Sequence, residues 1–154
     1  MASVPRNIEL FDRVVAVTLV KLYESFPNPL DINATGIGYE AAQGASADEI
    51  EAFKLMTETA ENSIHFLVRE GFVRYNETAR TFDGAEFPGA SLTLRGFTLL
   101  GATPTAVNES VDRRPFIEQL KGAVQEGAKA AIPEIIKSLF AGAIGLGSAA
   151  IGAG

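Results

Sequence analysis

Ser63-Ile64-His65-Phe66-Leu67-Val68-Arg69-Glu70-Gly71-Phe72-Val73, followed about twenty residues later by Leu92-Thr93-Leu94-Arg95-Gly96-Phe97-Thr98-Leu99-Leu100, is the pair of stretches on which the fold turns. In the first, Ala60, Ile64, Leu67 and Val68 recur at helical steps, and Gly71 stands where a helix ends in a left-handed residue. Phe72-Val73-Arg74-Tyr75 then reads as a strand, being β-branched and aromatic, and Ser91-Leu92-Thr93-Leu94 alternates polar with apolar. The polar stretch between them, with Asp83-Gly84 and Pro88-Gly89, makes the two a hairpin with a long loop. Leu94, Phe97, Leu99 and Leu100 then lie on a short helix that ends at Gly101.

Working toward the N-terminus, Ile8, Phe11, Val15, Leu19, Leu22 and Phe26 form one apolar stripe on a helix from about residue 8 to 26. Asn7 is its expected cap, and Pro27-Asn28-Pro29 stops it. Leu30-Asp31-Ile32 alternates like a short strand and leads into a Gly36-Ile37-Gly38 loop. Ser46-Ala47-Asp48-Glu49 is a capping box ahead of Ile50 and Phe53. Thr57-Glu58-Thr59 serves equally as a turn between two helices or as the middle of one helix from 47 to 70, since Phe53, Ala60, Ile64 and Leu67 fit a single period.

Toward the C-terminus, residues 102–110, with Pro104, read as a linker between a domain at 1–101 and a helical tail at 111–154. Phe116, Leu120, Val124 and Ala128 outline a helix over about 111 to 130, and Pro133 breaks it and opens another carrying Ile135, Ile136, Leu139 and Phe140. From Ser138 to Gly154 there is no charge, and small residues recur at spacings that let helices approach closely. Each Gly there disfavours helix by about 1 kcal/mol against Ala, so the tail needs a surface to hold it. Leu139, Phe140, Ile144 and Leu146, together with an outward Phe66, are the candidate partner interface. Membrane contact by residues 138–154 is a weaker expectation, because 17 uncharged residues with five bulky ones fall short of the roughly 20 apolar residues of a span.

Helix, short strand, helix, helix, two-stranded wing, helix is the order of the bacterial winged helix-turn-helix. The two opening stretches resemble the "helix 3, Gly, strand … Leu-Thr-x-x-Gly-x-x-x-Leu" signature of MarR/PadR-like regulators. They are also similar to a bacterial family of uncharacterised winged-helix proteins in which one or two further helices follow the wing domain. The resemblance covers roughly residues 8 to 101 and implies a mainly α fold with a small β-hairpin, a DNA-reading third helix and a wing on the phosphates. With Ile64, Leu67 and Val68 facing in, Thr59, Asn62, His65, Phe66 and Arg69 face out, which makes Asn62, Arg69, Arg74 and Arg80 the candidate DNA contacts.

Charge argues against that use. The net charge is −6, and residues 1–101 hold 8 basic and 14 acidic side chains while 102–154 hold five of each. Over residues 59–97 four arginines face five carboxylates, whereas binding DNA means neutralising several phosphates. The chain has no Cys and one His, which removes thiol nucleophiles, disulfides and Cys/His zinc sites. His65, with no carboxylate pattern read on its helical face, is a surface or boundary residue and not a general base. Gly36-Ile37-Gly38 and Gly145-Leu146-Gly147 lack the further Gly or Lys of a nucleotide loop. No cofactor and no enzyme activity are expected. Met1 to Asn7 shows no secretory pattern, so a cytoplasmic protein is expected. The functional expectation is a homo-oligomer or protein-partner module acting through its C-terminal helices. A DNA-binding regulator is the first alternative, and a membrane-directed effector using the tail is the second.

Overall fold

The computed structural model describes residues 6–42, 50–79, 85–104, 113–127 and 129–153. The chain is mainly helical with a small three-stranded antiparallel sheet. In order it runs α1 (Arg6–Ser25), β1 (Leu30–Asn33), α2 (Ala34–Ala41), α3 (Ile50–Arg69), β2 (Val73–Arg74), β3 (Glu86–Leu92), α4 (Leu94–Gly101), α5 (Phe116–Gln125) and α6 (Ile132–Ala153). Ser46–Glu49 with its capping box, Arg80, Asp83-Gly84, Ala128 and the greater part of the 102–110 connection lie outside the described residues.

Helix α1 is the axis of the core. One apolar stripe is expected there, yet Val14 to Val20 are all buried, Thr18 among them, while Ile8 at the start of the stripe is exposed. A helix buried on every side must be covered on every side. α2, α3, α5 and α6 all pack on α1, so Val15, Leu19, Ile64 and Leu67 share one hydrophobic cluster with Phe116, Leu120, Ile136 and Leu139. Asn7 does not cap α1, because the helix is already running at Arg6. Helix α1 ends ahead of Pro27 and Pro29 as expected.

The Gly36-Ile37-Gly38 segment is helix, not loop. The Asn33 side chain accepts a hydrogen bond from the Gly36 amide at 2.8 Å, which caps α2. Ile37 and Gly38 turn inward, and a Cβ on Gly38 would sit 3.2 Å from the Ala60 Cβ and 3.3 Å from Met56 Cγ, so α2 lies close on α3. The two readings of 47–70 resolve to one helix from Ile50 through Arg69. Thr57 sits inside it, its hydroxyl donating to the Lys54 carbonyl at 3.0 Å instead of capping a new helix.

The sheet order is β1-β3-β2, with Ile32 opposite Phe87 and Val73 opposite Leu92. Pro88-Gly89, expected in the hairpin loop, lies within β3. Between the pairs Leu30↔Ala90 and Ile32↔Phe87 the chain advances two residues on β1 and three on β3, a bulge that accommodates the missing Pro88 N–H. Gly89 takes φ +62° there and its amide donates to the Asp31 carboxylate at 2.8 Å.

The Leu92-Thr93-x-x-Gly96-x-x-x-Leu100 pattern has a physical basis. Leu92 and Leu100 are core residues, and the Thr93 hydroxyl accepts from the Gly96 amide at 3.1 Å while donating to the Gly71 carbonyl. Gly71 has φ +82° and ends α3 as expected. Gly96 rests on the Phe72 backbone, where a Cβ would be 2.4 Å from the carbonyl oxygen. The turn after α3, the start of α4 and strand β2 are thus locked together at one junction.

Helix α5 is shorter than the 111–130 expected. It begins after Pro115 and ends at Gln125, before Gly127 at φ +74°. The Phe116 amide donates to the Ala102 carbonyl at 3.0 Å, so the two ends of the 102–115 connection are adjacent. Pro133 opens α6, where its absent N–H removes no intrahelical bond. Ile132, Ile136, Leu139 and Ala143 hold α6 on the core. No helix among the described residues is long and apolar enough to cross a membrane.

Candidate functional site

Thr59, Asn62, Ser63, Phe66 and Arg69 recur at steps of three and four, so they share one face of α3. That face meets the first turns of α1 and, with Asn7, Ile8 and Phe11, lines a shallow, solvent-open cleft of about 370 Å³. Its floor is aromatic. Phe66 meets Phe11 edge to face at 5.3 Å between ring centroids, and Phe140 from α6 lies 6.2 Å from Phe11 and 6.0 Å from Phe66. Phe72 stacks on Phe140 at 6.0 Å from the other side. The expected outward Phe66 is therefore a half-buried ring packed against the first helix and the tail, because α6 covers that side of α3.

The cleft rim is polar. Asn62 and Arg69 are exposed, and the guanidinium of Arg69 forms no ion pair or hydrogen bond among the described residues. Ser63 is buried and its hydroxyl is committed to the Thr59 carbonyl at 2.5 Å. Among the described residues Arg69 is the one charged residue in the lining, and no carboxylate joins it.

The other arginines near α3 are engaged. Nε of Arg74 donates to the Ser91 hydroxyl at 3.4 Å. Arg95 donates to the Glu70 carbonyl at 3.0 Å and lies 4.9 Å over the Phe72 ring. On α3 itself Lys54 faces Glu58 at 3.9 Å. The structure therefore brings Asn62 and Arg69 together, leaves Arg74 tied to the sheet, and does not describe Arg80.

His65 is not without a carboxylate on its face. Nε2 lies 3.8 Å from Oε1 of Glu61, one turn earlier, while the ring packs edge-on against Phe87 at 4.9 Å. The Glu61/His65 spacing of four was the signal for this neighbour. Among the described residues no group of three or more His, Cys, Asp or Glu stands together as a metal site.

Of the candidate partner interface, Leu139 is a core residue and Phe140 belongs to the aromatic floor, so neither is a free surface. Ile144 is different. Its side chain is 70% exposed, and a Cβ on Gly145 would meet nothing within 4 Å. The Leu146 side chain lies outside the described residues. Comparison with known protein families, curated proteins and solved structures finds no match for the chain.

Proposed function

We propose that this chain is a non-enzymatic winged-helix protein that works by protein–protein contact, associating with a second copy of itself through its C-terminal helices. The order helix, strand, helix, helix, strand, strand, helix and the β1-β3-β2 sheet support the winged-helix reading. The Thr93/Gly96 junction supports it as well, since it gives the family-like pattern a physical reason.

The observation that carries the interaction role is on α6. This helix is anchored on the core as far as Ala143, then continues through the Gly/Ala-rich run to Ala153 with Ile144 and Gly145 uncovered. An uncharged helix with repeated Gly is poorly stable alone in water, and a second helix packed on its small residues would supply what is missing. The second reading, a DNA-binding regulator, draws on Asn62 and Arg69 sharing an exposed face of α3. The acidic balance and the engagement of Arg74 and Arg95 work against it.

Light scattering on the intact chain and on Ile144→Glu tests the proposal. The intact chain should run as a dimer or larger and the variant should shift toward monomer with an unchanged circular dichroism spectrum. A monomeric intact chain refutes self-association, and retention on mixed-sequence DNA lost on Arg69→Ala would move the assignment to the regulator.

A further inference from the structure

The cleft between α1 and α3 plays no part in association through α6, and its chemistry is specific. We infer that it binds a small organic anion, a carboxylate carried on an apolar body. Four features combine to select that class.

The volume of about 370 Å³ is in the range of a small-molecule site, open to solvent on its outer side. Its interior side is the paired Phe11 and Phe66 rings, held from behind by Phe140, with Ile8 at the edge. That is a fixed apolar wall, suited to hydrocarbon. On the rim Arg69 offers a planar donor fork that matches a carboxylate. Among the described residues Arg13, Lys21, Lys54 and Lys121 each face a carboxylate, whereas Arg69, like Arg6 and Lys137, does not.

Charge completes the selection. In a chain of net charge −6, a cleft whose described lining holds a cation and no acid is a place where an anion meets attraction. The amides of Asn7 and Asn62 and the hydroxyl of Thr59 add neutral donors beside the guanidinium. A cationic ligand would find no partner in this lining. A wholly apolar one would leave Arg69 and the two amides unused.

The test pairs two probes of the same shape, octanoate and the uncharged octan-1-ol, titrated into the intact 15N-labelled protein. Octanoate should shift amide signals saturably at residues 7–11 and 59–69, and should bind more tightly than octan-1-ol. Arg69→Gln, an exposed change that leaves the core untouched, should weaken octanoate about tenfold and leave octan-1-ol unchanged. No saturable shift with octanoate overturns the inference. So does octanoate binding that Arg69→Gln leaves intact, or shifts that cluster elsewhere on the chain.

Discussion

Gly96→Ala should destabilise the protein although alanine is the better helix former. A Cβ at position 96 would stand 2.4 Å from the Phe72 carbonyl oxygen, 3.2 Å from its carbon and 3.3 Å from its Cα, all backbone atoms that cannot rotate away. Relief requires α4 to retreat by roughly 1 Å, on the scale of one van der Waals overlap. The bonds across the same junction are the Thr93 amide to the Phe72 carbonyl at 3.0 Å and Arg95 to the Glu70 carbonyl at 3.0 Å, and a retreat of that size takes both past bonding distance. Two lost bonds at about 1 kcal/mol each and overpacking of about 1–3 kcal/mol are offset by about 1 kcal/mol of helix propensity. The net is a loss of about 2–4 kcal/mol, or about 4–16 °C in Tm for a chain of this size. Urea unfolding followed by circular dichroism measures it, with Gly122→Ala as the control. Gly122 is also helical but has nothing within 4 Å of an added Cβ, so alanine there should stabilise by up to about 1 kcal/mol. If both variants gain stability alike, the close approach of α4 to Phe72 is refuted.

Thr18 is fully buried, and its hydroxyl has no hydrogen-bond partner among the described residues. Thr18→Val keeps the shape and removes the unpaired group, and should raise the unfolding free energy from urea titration by about 1 kcal/mol; a loss would show that the hydroxyl is satisfied. Burial pushes the Asp12 carboxyl from an ordinary 3.8 up to about 6. A raised carboxylate pKa means the folded chain holds the proton more tightly, so the wild type loses stability as pH rises from about 4 to about 6 and is level above that. Asp12→Asn should therefore match the wild type below pH 4 and exceed it by about 1 kcal/mol at pH 7, a figure reduced for the half-exposed site. Equal stabilities at pH 7 would contradict this. Removing α5 and α6 by ending the chain at Ala102 should abolish cooperative unfolding, since Phe116, Leu120, Ile136 and Leu139 leave the core; a cooperative transition in the fragment would show that the front folds alone.

The helices with a clean period and a marked stop were legible from residues alone. Pro27 and Pro29 end α1, Gly71 ends α3, and Pro133 opens α6, each through a backbone restriction that operates whatever packs around it. The misread elements depend on partners distant in sequence. Gly36-Ile37-Gly38 is poor helix by propensity, but Asn33 caps it and Ala60 and Met56 pack on it, and neither contact is visible within the segment. Pro88-Gly89 has turn composition, yet it lies in the central strand because the extra residue of a bulge pairs it with Asp31.

The candidate site was half legible for a related reason. Asn62 and Arg69 were identified as exposed and chemically capable, because polar residues opposite Ile64 and Leu67 must face water or a ligand. Phe66 belongs to that same outward arc of the helical period, yet it meets Phe11 of α1 edge to face. Its cover is completed by Phe140, 74 positions later in the chain, whose ring meets both Phe11 and Phe66. A helical period reports direction about one axis only, and burial is decided by every element that arrives from the side. The aromatic floor of the cleft is therefore completed only once α6 has docked. It follows that α6 does two things at once, closing the wall behind Phe66 with Phe140 while presenting Ile144, one turn further along the same face, past the end of the core that covers the helix. A substitution confined to Ile144 should disturb association and leave the cleft standing, which is why the two surfaces can be tested separately in the full-length chain.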